Sequence, residues 1–117
     1  MIELNAKQRK FLEKSAQPLS ALVQIGGAGL TEEQVKNIGN VVDAHELVKI
    51  KYNFIKSLAA TEEKSEVNES RKNLDNEIQE KTGAVHVRTL GNTAVFYKPA
   101  KKEEDRKFEK HLAKLAK

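Results

Sequence analysis

The spacing of apolar residues changes abruptly in the middle of this chain. Val35, Ile38 and Val42 fall on one face of a helix, and a few positions later Val48, Ile50, Tyr52 and Phe54 alternate with Lys49, Lys51 and Asn53. The first pattern has the 3.6-residue period of an amphipathic helix and the second the two-residue period of a half-buried strand. An all-helical or all-strand fold cannot hold both. The chain is therefore expected to build an α/β (α+β) domain in which strand 46–55 buries one side and presents lysines on the other.

The remaining segments extend that frame. Asn5 followed by Gln8 forms a capping-box signature, and Phe11, Leu12 and Ala16 supply the apolar stripe of a helix over 5–16, which Pro18 ends. Ala21 to Ile25 is a short apolar run that reads as a buried strand. Thr31 with Gln34 repeats the capping box and opens a helix to about Ala44, within which Gly39 is expected to permit close packing. Lys56 to Ser65 shows no period and reads as a loop. Val67, Leu74, Ile78 and Lys81 define a third helix closed by Gly83 as a left-handed cap. Residues 85–90 and 93–97 flank Gly91-Asn92, a hairpin signal with glycine in the position that a type II′ turn requires, and Pro99 stops the second strand.

The element order is thus α-β-α-β-α-β-β. A strand, helix and strand in succession favour a right-handed crossover with parallel pairing, and the hairpin adds antiparallel pairing. The simplest expectation is a two-layer sandwich, a mixed four-stranded sheet with three helices on one face and the other face open. Residues 1–99 form the domain. In the tail, 100–117, Phe108, Leu112 and Leu115 recur at helical spacing, as in a docked helix or an arm that orders on a partner.

Composition excludes several classes of function. A chain of 117 residues fits one domain. Cysteine is absent, so disulfides, thiolate zinc sites and cysteine nucleophiles are ruled out. No apolar run approaches 18 residues and no leader pattern opens the chain, which points to the cytoplasm and away from membranes. The net charge of +4 is unevenly spread: residues 57–80 carry −4 and residues 98–117 carry +4. Such segregation suits a polyanion on one side and solvent on the other.

Gly26-Gly27-Ala28-Gly29 lies between an expected strand and a helix N-terminus, where free N–H groups and the helix dipole favour phosphate. A Walker loop would need lysine after the last glycine, and Leu30-Thr31 follows instead. A dinucleotide fingerprint counted from Gly27 would place its third glycine at Glu32. What fits is a Gly-x-x-Gly loop that clamps a nucleic-acid backbone, as KH domains do, although a plain tight turn has the same spelling.

Taken in order, Gly26-Gly27-Ala28-Gly29-Leu30-Thr31, His45-Glu46-Leu47-Val48-Lys49-Ile50-Lys51, Lys81-Thr82-Gly83-Ala84, and Leu90-Gly91-Asn92 through Tyr97-Lys98-Pro99 resemble the CRM domain (chloroplast RNA splicing and ribosome maturation). More closely, the chain resembles the stand-alone bacterial YhbY-like members, from about Leu4 to Pro99. The resemblance implies a fold like the C-terminal domain of translation initiation factor three, RNA binding through the Gly-x-x-Gly loop, association with large-subunit ribosomal precursors, and no catalysis. Ala28 stands where many members carry a basic or polar residue, and Lys98 keeps the charge of the family's arginine without its bidentate geometry.

The expected function is non-enzymatic RNA binding in large ribosomal subunit assembly, with ribosomal RNA as partner. The expected contacts are Gly26, Gly27, Ala28, Gly29, Leu30 and Thr31 at the loop and Lys7, Lys10, Lys49, Lys51, Arg88 and Lys98 around it. Tyr97 is the candidate for an exposed stacking platform, while Tyr52, Phe54 and Phe11 belong to the core. His45, His86 and His111 are scattered, so no catalytic or metal site, cofactor or small-molecule substrate is expected, and the protein should be a monomer. The competing reading is a protein-interaction adaptor whose tail stripe docks in a partner's groove.

Overall fold

The computed structural model describes residues 3–26, 30–53, 64–90 and 92–115, with residues 64–70 and 103 as backbone only. Helix α1 spans Ala6–Ala16, β1 Val23–Ile25, α2 Glu32–His45, β2 Leu47–Tyr52, α3 Lys64–Thr82, β3 Val85–Leu90 and β4 Thr93–Tyr97. A 3-10 turn at Glu103–Asp105 and helix α4, Glu109–Lys114, follow. The strands form one mixed sheet in the order β1-β2-β4-β3, with β1 parallel to β2 and the β2–β4 and β3–β4 pairs antiparallel. The expected loop at 56–65 lies largely outside the described residues, as do Phe54, Lys56 and Gly91, and so does the side chain of Val67.

The local signals act as their chemistry requires. The Asn5 side chain accepts from the Gln8 backbone N–H while Gln8 Oε1 accepts from Asn5 N–H, both at 2.8 Å, which completes the capping box of α1. At α2 only half of the box forms. Thr31 caps Gln34 N–H at 3.2 Å, but the Gln34 side chain turns away and donates to the Gln24 carbonyl of β1. Gly83, at φ +76°, ends α3 in the left-handed conformation that glycine adopts without cost. Gly39 does not serve close packing, because a Cβ built there would meet nothing within 4 Å among the described residues.

Two apolar clusters lie on opposite faces of the sheet. On one face Val23, Ile25, Val48, Ile50, Tyr52, Ala94 and Phe96 meet Ile38 and Val42 of α2 and Leu74 and Ile78 of α3. On the other face Leu47, Val85, Val87, Val95 and Tyr97 meet Leu12 and Ala16 of α1 and Leu112 of α4. This corrects the expected placement of all three helices on one face: α1 crosses to the far side. The reason lies in β2 and β4, whose alternate residues Leu47, Val95 and Tyr97 are apolar too and need their own cover. Tyr97 is consequently 1% exposed and is no stacking platform.

The tail docks on that second face. Phe11 stacks on His111 with ring centroids 4.0 Å apart, and Phe108 meets Phe11 and Tyr97 edge-on. Asn5 Nδ2 and Gln8 Nε2 donate to the carbonyls of Leu115 and Leu112 at 2.8 and 2.9 Å, so the α1 capping box also satisfies the last turn of α4. Leu112 and Phe108 of the tail stripe are thus packed against the chain's own core.

Candidate nucleic-acid interface

Because α1 and α4 cover only part of the second face, the end of the sheet from which the β1–α2 connection leaves stays accessible. That end is defined by register: Ile25 pairs with Tyr52, Lys51 with Gln24 and Thr93, and Thr93 with Leu90. Lys49 and Lys51 point to this face because Val48, Ile50 and Tyr52 fill the opposite one. Leu90, 66% exposed, lies at the same end, while Leu22, 54% exposed, precedes β1 and donates its N–H to the Lys49 carbonyl in the middle of β2.

Arg88 reaches this face through an irregularity. His86 pairs with Phe96 and Arg88 with Val95, which leaves Val87 as the extra residue of a β-bulge. Strict alternation from Val85 would send Arg88 and Leu90 to the α3 side. The bulge reverses the phase, so that Val87 and Arg88 both face α1 while Thr89 turns to Asp75 of α3. Arg9 of α1 stabilises the bulge by donating from Nη1 to the carbonyls of His86 at 2.5 Å and Val87 at 3.1 Å. Arg88 itself pairs with Glu13 at 3.1 Å.

The cations differ in how far they are committed. Lys7, Lys10 and Lys14 are exposed on α1 at spacings of three and four residues, which places them along one helix face. Lys49 Nζ donates to the carbonyls of Gln17 and Leu19 at 3.1 and 3.0 Å, neutralising the C-terminal end of α1 and leaving one of its three N–H donors. Lys51 makes no hydrogen bond or ion pair among the described residues. Two adjoining cavities, of about 760 and 260 Å³, run between α1 and β3 and share Glu13, Gln17 and Arg88.

At the loop, Gly26 is exposed and a Cβ there would meet nothing within 4 Å among the described residues. Leu30 is half-buried against the first core cluster and Thr31 caps α2. Gly27, Ala28 and Gly29 lie outside the described residues. Lys98 follows Tyr97, which pairs with Leu47 and Val85, and so stands at the opposite end of the sheet. There it donates to the Thr82 carbonyl at 3.3 Å and lies 3.6 Å from Asp43. The structure therefore gathers Lys49 and Arg88 beside α1, next to the cavity lined by Lys10 and Lys14, places Lys51 on the same sheet face two residues beyond Lys49, and does not bring Lys98 to them.

Residues 4–98 match the model of the CRS1 / YhbY (CRM) domain. The chain belongs to this family. An RNA-binding protein from Haemophilus influenzae is 34% identical over 100 residues, covering 86% of this chain and 90% of its own. YqeI of Bacillus subtilis, described as a probable RNA-binding protein, is 29% identical over 101 residues, covering 86% and 94%. The solution structure of protein SAV1595 from Staphylococcus aureus superposes with a TM-score of 0.67 at 22% identity, covering 90% of this chain and 98% of that one, and shares the fold.

Behind the open face, this CRM domain carries a buried polar network. Asp75, 8% exposed, accepts from Tyr52 Oη at 2.6 Å and from Thr89 Oγ1 at 2.9 Å. Since Thr89 gives its only hydrogen to Asp75, it accepts from His86 Nε2–H at 2.7 Å. Burial holds the His86 imidazole below its ordinary pKa, with Arg9 lowering it further and the Asp75 carboxylate opposing. Burial, then the Asp75 charge and hydrogen bond, push the Tyr52 phenol far above the usual range. Among the described residues no cluster of three or more acidic or histidine side chains could hold a metal ion, and no helix is long and apolar enough to cross a membrane.

Proposed function

We propose that this CRM domain is a non-enzymatic cytoplasmic module that binds ribosomal RNA and acts in large ribosomal subunit assembly. Family membership and the RNA-binding names of its relatives support RNA as the partner. The observation that carries the reading is the bulge at Val87, which turns Arg88 onto the face that already bears Lys49 and Lys51, next to Lys10 and Lys14 of α1. An RNA backbone running from residues 26–31 along α1 would meet a row of cations. Gly26 has neither a positive φ nor a packed neighbour to require a glycine, which fits a backbone kept bare for approach from outside.

Three experiments test this. Contacts with about five phosphates predict a slope of log affinity against log salt of roughly −3.5 to −4.5 on single strands or duplexes. Ala28→Asp places a carboxylate where phosphate should lie and is expected to abolish RNA capture while the fold persists. Sedimentation of tagged protein with crosslinking is expected to recover it with immature large subunits. Undiminished RNA binding by Ala28→Asp, or recovery only with a non-ribosomal protein, would defeat the reading. The adaptor alternative loses its basis because Phe108 and Leu112 are used in the chain's own core.

A further inference from the structure

We propose that the smaller cavity, between the C-terminal turn of α1 and the β3–β4 hairpin, receives one unstacked base of a single-stranded RNA segment. This rests on the RNA-binding reading above and specifies which form of RNA the face accepts. Val95 and Leu90 give the cavity an apolar surface, and Thr93, Lys49, Arg88 and Glu13 surround it. Leu90 is 66% exposed, the most exposed of the large apolar side chains among the described residues, and it faces this cavity only because the bulge reverses the phase of β3.

The charges on the rim favour a neutral ring over a phosphate. Arg88 is paired with Glu13, and Lys49 has given two donors to the Gln17 and Leu19 carbonyls just past α1. A phosphate entering here would meet the Glu13 carboxylate at close range. A base would not, and its edge could bond the remaining Lys49 donor, the Thr93 hydroxyl or the second Glu13 oxygen. The uncommitted cations stand outside: Lys10 and Lys14 line the adjoining cavity, and Lys51 lies on the other side. They are placed to hold the phosphates flanking an inserted base.

Size gives the same answer. A volume of about 260 Å³ lies just under the range for drug-sized ligands, which suits a single ring system. A base within a duplex could enter only by leaving its stack and its pair, at a cost of a few kcal/mol. The cavity should therefore select single strands.

The test is fluorescence anisotropy on the full chain with a single-stranded RNA oligonucleotide, its duplex, and the same strand carrying abasic riboses. The intact single strand is expected to bind about fivefold tighter than either other form, the weak end of one base contact. Thr93→Phe, which fills the cavity without changing charge, should remove that preference and leave the salt slope unchanged. Leu90→Ala, at an exposed position that folding does not depend on, should lower single-strand affinity in the same direction. Equal, salt-dependent affinity for all three RNAs, or indifference to both substitutions, would overturn the base cavity while leaving RNA binding intact. Failure to bind any of the three at low salt would overturn both.

Discussion

The carboxylate of Glu46 grips the backbone of Lys107, accepting its N–H at 2.6 Å, and accepts that of Ala100 at 3.3 Å. Glu46 is 2% exposed and sits at φ +63°, an uncommon conformation for a residue with a side chain, between the last turn of α2 and the first residue of β2. Its own N–H donates to the Val42 carbonyl and its carbonyl accepts from Lys98 N–H. One residue thus ends α2, starts β2 and fastens the chain after β4. The strained backbone is held because the buried carboxylate is satisfied on both oxygens.

Removing that carboxylate should release the tail before it unfolds the sheet. Glu46→Ala leaves two backbone donors unsatisfied and is expected to cost about 1–3 kcal/mol. Hydrogen exchange should rise first at Ala100 and Lys107, while the amides of β2 and β4 keep their protection. Equal loss of protection throughout would show that the tail and sheet form a single cooperative unit.

The sequence made the strands and helices legible because their signals are local. The Asn5 and Gln8 capping box, the alternation from Val48 to Tyr52, the Gly83 cap and the parallel crossover all depend on neighbours along the chain. What it hid depends on partners far away. The bulge at Val87 looks like ordinary alternation, because Val85, Val87 and Thr89 fall at every second position although the two valines face α1 and Thr89 faces α3. The side of the sheet taken by α1 was equally hidden, since an amphipathic stripe states that a face is buried and not against what. Lys98 and Lys49 read as free surface cations, yet each bonds the carbonyls at a helix end, a role that needs a strand to bring it there.

Arg9 should prove to be a stabiliser of the site's geometry. Both of its bonds to the bulge carbonyls come from the single nitrogen Nη1, at the end of a side chain longer than lysine's, so an ammonium in its place falls short of them. Arg9→Ala is expected to lower stability by about 1–3 kcal/mol, with Arg9→Lys recovering only part of it. Chemical denaturation would measure both. The amide shifts of Val87 and Arg88 should move in each variant, reporting relaxation of the bulge.

The His86 network should make stability depend on pH. The imidazole is held below its ordinary pKa of 6.5 by burial, so the unfolded chain binds this proton more readily than the folded one. The contribution of His86 is therefore fully present above about pH 6.5 and is lost as pH falls from there through the folded value. Denaturation midpoints of the wild type should decline over this window, and His86→Gln should flatten that part of the decline. The opposite limit is set by the two buried tyrosines, Tyr52, which burial and Asp75 hold far above the usual range, and Tyr97, whose pKa burial and the Glu46 and Glu109 charges raise to about 12. The Tyr97 contribution is lost as pH rises from 10 toward 12.

Lys51 and Lys98 provide the sharpest test of where RNA runs, because they carry the same charge at opposite ends of one sheet. Lys51 pairs with Gln24 and Thr93 at the glycine-loop end, whereas Lys98 follows the Tyr97–Leu47 pair at the other. Lys51→Ala is expected to weaken RNA binding and reduce the magnitude of the salt slope by about 0.7–0.9, the contribution of one phosphate contact. Lys98→Ala should leave that slope unchanged. Its effect should appear in stability instead, since Lys98 bonds the last carbonyl of α3 and lies beside Asp43. A loss of slope in the Lys98 variant equal to that in the Lys51 variant would mean that the RNA spans the whole sheet rather than turning onto α1.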